Sequence, residues 1–212
     1  MDSTNKNFKK CNVFNIKSKY IIKRIFNHLN QTKFYSMVKH NKNIINKLDV
    51  NIEDFLQIEI ELIPKENIYG YFISENALLH IFFNDGKEEI KRNYLTKEDE
   101  VYKIRIIIEN KLDSFEDLFE ECHCIKKINF IKFTRNNITS MRSMFYKCTS
   151  LEELNLSNFN TKNVEDMGFM FNGCASLKKL NLINFDTENV TDMTSMFSGC
   201  KSLKELELSN FS

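Results

Sequence analysis

The chain contains no tryptophan, a single proline (Pro64) and no apolar run approaching the 18 or more residues of a membrane-spanning helix. Arg24 is the only arginine before Arg92, and no nucleic-acid-binding motif is present; together with the missing tryptophan this speaks against nucleic acid as the partner. The opening residues, MDSTNKNFKKCNVFN, hold no apolar stretch of the length a secretory leader needs. A cytoplasmic location is the expectation, with the cell surface as the alternative. Nucleophile elbow, phosphate-binding loop, dinucleotide fingerprint and zinc-protease motif are all missing. His28, His40, His80 and His123 share no ligand spacing, and the acidic pair Glu120-Glu121 falls on what reads as a solvated helix face. The expectation is a protein that is not an enzyme and has no cofactor and no metal.

What is present is a chain of 212 residues, 42% of them hydrophobic, enough for a substantial core. Its net charge of +1 is unevenly distributed. Residues 1–50 carry 11 Lys and Arg against 2 Asp and Glu, and residues 51–212 carry 19 against 27. The basic end could meet an acidic surface or nucleic acid; the plainer reading is a segment that is solvated or docks on the acidic remainder.

The same residues return every 26 positions through the second half. Cys148, Cys174 and Cys200 are so spaced, as are Leu151, Leu177 and Leu203, the pairs Met144-Phe145, Met170-Phe171 and Met196-Phe197, and Phe159, Phe185 and Phe211. Earlier copies appear at Ile128, Phe130 and Phe133, and then at Tyr102, Ile104 and Ile107. The Met-x-x-Met-Phe-x-x-Cys pattern becomes Phe115, Leu118, Phe119 and Cys122 in the first copy. A fixed period of this size marks stacked units, each burying its apolar face on its neighbours. Leu177, Leu180 and Leu182 read as a short inward-facing strand closed by Phe185, with Asn158, Asn184 and Asn210 in a turn column and Ile138, Val164 and Val190 adding an inward apolar group. Ser114, Ser140, Asp166 and Asp192 share a column suited to helix N-caps. Met193, Met196, Phe197 and Cys200 follow at i, i+3, i+4 and i+7, one face of a helix. Gly173 and Gly199 stand where such a helix would end. Five strands and four short helices are therefore expected between Val101 and Phe211. Cys122, Cys148, Cys174 and Cys200 fall beside the core, where a reduced thiol acts as a small hydrophobe. Cys122-His123-Cys124 lacks the two to four intervening residues and the second pair of a zinc site.

The outward strand positions form rows of charge. One column reads Glu100, Lys126, Glu152, Lys178, Lys204, and the next Val101, Lys127, Glu153, Lys179, Glu205. Asn129, Asn155 and Asn181 lie two residues further along. Neighbouring strands stack about 4.8 Å apart, so opposite charges in adjacent rows attract. The rows serve register and solubility, or they form a mixed-charge partner-binding face made of Lys126, Lys127, Asn129, Glu152, Glu153, Asn155, Lys178, Lys179 and Asn181.

Residues 189–211, NVTDMTSMFSGCKSLKELELSNF, resemble the BspA-type leucine-rich repeat in its 26-residue variant, found in surface proteins of mycoplasmas and other bacteria and in protist proteins. The resemblance covers about residues 101–212. It implies an α/β repeat fold, a leucine-rich-repeat solenoid of parallel strands and short helices. It also implies protein or host-surface binding without catalysis. Surface members carry a leader or anchor, which this sequence does not show, and their arrays run longer.

The first half is less regular. Residues 1–16 are polar and read as a disordered basic tail. In 17–50, Ile22, Ile25, Phe26 and Leu29 lie on one helical face; Phe34, Tyr35 and Val38, then Ile44, Ile45 and Leu48, mark two further short helices. This helical module is similar to a degenerate F-box, although the leading Leu-Pro of that motif is missing. The resemblance implies adaptor docking through Ile22, Ile25, Phe26 and Leu29, and a substrate-recruiting subunit of a ubiquitin ligase. In 51–98, Ile58, Ile60 and Leu62 alternate with Gln57, Glu59 and Glu61, and Asn84-Asp85-Gly86 is a hairpin turn. This part reads as an antiparallel β cap on the solenoid of 99–212. The sequence ends directly after the strand expected at 206–211, so either further repeats follow or the last coil stacks end to end on a second copy. The function expected is a non-catalytic protein-protein interaction scaffold with a protein partner. The ligase subunit is one alternative, and a surface adhesin-type binding protein, from the BspA-type resemblance, is the other.

Overall fold

A computed structural model describes residues 57–74, 79–108, 112–133 and 137–211. The chain divides into two compact units, Met1–Phe55 and Leu56–Ser212, and every described residue lies in the second. The helical module and Ile22, Ile25, Phe26 and Leu29 fall outside the described residues.

The first strand, β1 (Ile58–Pro64), follows from its alternation: Ile58, Ile60 and Leu62 are fully buried, while Glu59 and Glu61 are half-buried on the other face. β2 (Gly70–Tyr71) and β4 (Tyr94–Leu95) form a small antiparallel ladder of their own. β3 (Leu79–Phe83) and β5 (Ile104–Ile108) pair antiparallel, Ile81 opposite Ile106. The turn after β3 places Asn84 at φ 56°, and Ile90 returns to bridge Ile81. β5 pairs in turn with β1, whose other edge takes β6 (Ile125–Lys132) antiparallel. β6 then pairs parallel with β7 (Glu153–Asn155), giving a mixed five-stranded sheet in the order β3-β5-β1-β6-β7. β8 (Lys179–Asn181) and β9 (Glu205–Glu207) form a separate parallel pair. Pro64, which has no N–H to give, sits at the end of β1 where the register with β6 shifts.

This architecture corrects the expected α/β leucine-rich-repeat solenoid of parallel strands and short helices. Among the described residues there is no helix, and the strands form a mixed five-stranded sheet, an antiparallel pair and a parallel pair, not one continuous parallel sheet. The segment 104–108 matches the repeat columns, yet β1 inserts between it and β6, so it pairs antiparallel.

The segments expected as helices are turns, and the reason is visible in their backbone. An α-helix sends each N–H to a carbonyl four residues back. Here Phe115, Asp117, Phe119 and Glu121 donate instead to the carbonyls of Ser140, Arg142, Met144 and Tyr146, 25 residues ahead, at 2.9, 3.1, 2.9 and 2.8 Å. Met141, Ser143, Phe145 and Lys147 donate likewise to Asp166, Gly168, Met170 and Asn172, and Met167, Phe169, Phe171 and Gly173 to Asp192, Thr194, Met196 and Ser198. The residues between them close local turns, as Leu118, Glu120 and Cys122 do on Phe115, Asp117 and Phe119. Alternation of this kind requires left-handed residues. Asp117, Ser143, Phe169 and Ser195 lie at φ 53–58°, and Glu121, Lys147, Gly173 and Gly199 at φ 54, 52, 77 and 77°. Ser114, Ser140, Asp166 and Asp192, expected as helix caps, bridge one another in parallel. Their side-chain oxygens accept from the N–H two residues on, in Glu116, Arg142, Gly168 and Thr194.

Identical side chains therefore stack. Phe119, Phe145, Phe171 and Phe197 form a row with centroids 5.6, 5.6 and 5.7 Å apart and rings within 6° of parallel. Phe133, Phe159 and Phe185 form a second row. Thr161, fully buried, both donates to the carbonyl of Asp186 (2.9 Å) and accepts from its N–H (2.8 Å). Near β4, Arg92 grips Asp99 through both terminal guanidinium nitrogens, Nη1 and Nη2, while the backbone N–H and hydroxyl of Thr96 donate to the same carboxylate.

Removing the ring in Phe171→Ala is expected to cost about 3–5 kcal/mol in urea unfolding. Gly173→Ala should cost about 1–2 kcal/mol through its left-handed backbone, because a Cβ there would also stand 3.1 Å from Lys147 Cγ and 3.2 Å from Lys147 Cα; an unchanged midpoint would contradict the turn geometry. The Arg92 guanidinium, aided by Thr96, holds the Asp99 carboxyl well below the usual carboxylate range. Its contribution is thus present above the unfolded value of about 3.9 and lost as pH falls towards the folded value. The slope of stability against pH below about pH 4 should flatten in Asp99→Asn.

Candidate interaction surface

On the outward faces of β6 to β9, the sequence-derived residues lie in register within two strand pairs, β6 with β7 and β8 with β9. Lys127 lies opposite Glu153, and Asn129 opposite Asn155; Lys179 lies opposite Glu205, and Asn181 opposite Glu207. The charges join between neighbouring units: Lys127 Nζ to Glu153 Oε2 at 2.7 Å, Lys178 Nζ to Glu152 Oε2 at 3.4 Å, and Lys179 Nζ to Glu205 Oε2 at 2.5 Å. Lys65, at the end of β1, adds a second cation on Glu152. Lys65 and then Lys178 lower the Glu152 carboxyl, and Glu205 raises the Lys179 ammonium. Asn155 Nδ2 donates to Asn129 Oδ1 at 3.0 Å, while Asn155 and Asn181 each accept a backbone N–H two residues on. Lys126 has no ion pair among the described residues and lines a cleft of about 710 Å³ with Tyr102, Glu100 and Glu66.

The fixed spacing of the Lys and Glu columns made this face legible in the sequence. Lys65 on Glu152 was not, because 87 residues separate them. A second bridge the sequence does not signal is Arg142, whose Nη1 reaches Asp192 Oδ2 at 3.0 Å and Asp166 Oδ2 at 3.4 Å. A Cβ on Gly168 would stand 2.8 Å from that nitrogen, so glycine there makes room for the guanidinium.

The thiols face inward. Cys148, Cys174 and Cys200 donate through Sγ to the carbonyls of Phe119, Phe145 and Phe171 at 2.9, 3.1 and 3.1 Å, each tying one unit to the previous one. Burial pushes all of these thiols up. In Cys122-His123-Cys124 the side chains diverge. Cys122 is fully buried, His123 is exposed and bonded to the hydroxyl of Thr149, and Cys124 is buried with Sγ 3.2 Å from the carbonyl of Tyr71. Among the described residues no group of three or more His, Cys, Asp or Glu could hold a metal. Nor is any helix there long and apolar enough to cross a membrane.

Residues 113–212 match a family model described as Mycoplasma protein of unknown function, DUF285. Comparison with curated proteins and with solved structures gave no match.

Burial pushes the Cys124 thiol up to about 12. A folded value above the unfolded one of about 8.5 gives stability that is full below that pH and is lost as pH rises towards 12. Of the five described thiols, all free, the four buried ones should therefore resist alkylation in the native chain at pH 8 and react on unfolding. Rapid native modification of Cys122, Cys124, Cys148 and Cys174 would contradict their burial.

Proposed function

We propose that the chain is a non-catalytic scaffold that binds a partner protein on the exposed strand face. The observation that carries this reading is the face itself. Lys127, Asn129, Glu153, Asn155, Lys179 and Asn181 project from strands whose register is held by backbone hydrogen bonds. Such a surface is already ordered, so a partner meets it without the entropic cost of arranging it. Mixed charge and amide rows suit the polar rim and hydrogen-bonding pattern of protein interfaces. The resemblance of residues 189–211 to BspA-type repeats points to the same class of role. The free thiols support a reducing compartment for it.

The test compares the full chain with Lys179→Glu and Asn155→Arg in affinity capture from cells that express it. Both residues are exposed, so circular dichroism and melting should match the parent. Proteins recovered by the parent and lost by both variants support the reading. Identical recovery by all three removes this face from function.

A further inference from the structure

A second surface lies away from the strand rows, around β2 and β4. Most large apolar side chains of the described residues are covered, yet Tyr69, Tyr71 and Tyr94 are 44, 62 and 42% exposed and sit on or beside this one small ladder. The rings of Tyr71 and Tyr94 meet edge to face with centroids 6.1 Å apart. Exposed aromatic rings gathered in one place mark interaction sites, because isolated exposure is ordinary and clustering is not.

Tyr69 and Tyr71 line a cleft of about 490 Å³ together with Glu120, Glu121 and His123. The two carboxylates differ in their partners. Glu121 is matched by Lys147 Nζ at 2.9 Å, whereas the Glu120 carboxylate has no ion pair or hydrogen bond among the described residues. Partial burial raises the Glu120 carboxyl, and the neighbouring charges of Asp117 and Glu121 raise it further, against a smaller opposing pull from Lys147. A group under that field gains from an incoming cation.

We propose that this cleft docks a basic extended segment of a partner protein, with one Lys or Arg side chain against the Tyr69 and Tyr71 rings and its charge at Glu120. Tyrosine faces attract cations and accommodate the alkyl stem of Lys or Arg, and Glu120 supplies the counter-charge. The carboxylates repel a phosphate backbone and an anionic membrane surface alike. The site is independent of the strand rows, so either surface can fail its test without affecting the other.

The test titrates the full-length chain with an acetylated, amidated tetra-arginine peptide, with tetra-glutamate as the comparison, by calorimetry at low salt. Tyr71→Ala removes an exposed ring and Glu120→Gln an exposed charge, so neither threatens the core. Glu207→Gln removes a carboxylate of β9, outside the cleft. Saturable binding of tetra-arginine is expected, weakened about threefold or more by each cleft variant, the order of a cation–π contact at an exposed site, and unchanged by Glu207→Gln. No binding by the parent overturns the proposal. So does equal binding by the cleft variants, equal weakening by all three carboxylate and ring variants, or preference for tetra-glutamate.

Discussion

The structure depends on one constraint: in the turn segments 115–121, 141–147 and 167–173, alternate N–H groups are satisfied by the next unit, not by their own. Phe145 N–H has only the carbonyl of Met170 to meet, and Phe171 N–H only that of Met196. An unpaired buried amide costs about 1–3 kcal/mol, and each unit presents four such donors. A unit standing alone would leave them unmet. The strands repeat the condition on the other side of the unit, where Ile128 faces Leu154 and Leu180 faces Leu206. Both sets of pairings join residues 25 or 26 apart, so an extra residue in either would break the other. This is the physical reason for a period of 26 held without insertion from Cys122 to Cys200.

The side-chain order follows from the backbone order. Once the carbonyls and amides of successive units are aligned, equivalent side chains meet their own kind. That accounts for the near-parallel Phe119, Phe145, Phe171 and Phe197, and for the thiols of Cys148, Cys174 and Cys200, each donating to a carbonyl 29 residues back. The second row obeys the same rule: Phe133 stacks on Phe159 at 4.2 Å. Phe130, whose equivalent is Leu156 and not Phe159, meets Phe159 edge to face at 4.7 Å.

Sequence columns made the stacking partners legible, since a 26-residue spacing names which residues touch without saying in what conformation. The conformation was hidden because Met141, Met144, Phe145 and Cys148 have the spacing of a helix face, and the same spacing arises when left-handed residues break the chain between them. Only Gly173 and Gly199 advertise that backbone; Asp117, Ser143, Phe169 and Lys147 adopt it with ordinary side chains. Ser140 and Asp166 looked like helix caps for a related reason, because a short oxygen that accepts a nearby N–H serves either role. β5 was legible as a strand and not in its pairing: Ile104, Ile106 and Ile108 alternate as well for β1 as for a parallel neighbour. Of the surfaces, the Lys and Glu rows were legible because they share the period. The tyrosine cleft was not, because its walls come from Tyr69, Tyr71 and Glu120, which no period connects.

Register carried by backbone and buried side chains leaves the outside free to vary. Lys127 and Glu153, or Lys179 and Glu205, sit opposite each other because the strands do, not the reverse, and exposed pairs of this kind add little to stability. In these rows Lys127, Glu152, Glu153, Lys178, Lys179 and Glu205 are paired and Lys126 is not, among the described residues. Glu120, beside exposed tyrosines, has no ion pair among them either. The two surfaces differ in kind: one ordered and largely ion-paired, the other concave, aromatic and short of a cation. The stacked rings that order the fold, Phe119 to Phe197 and Phe133 to Phe185, belong to neither surface.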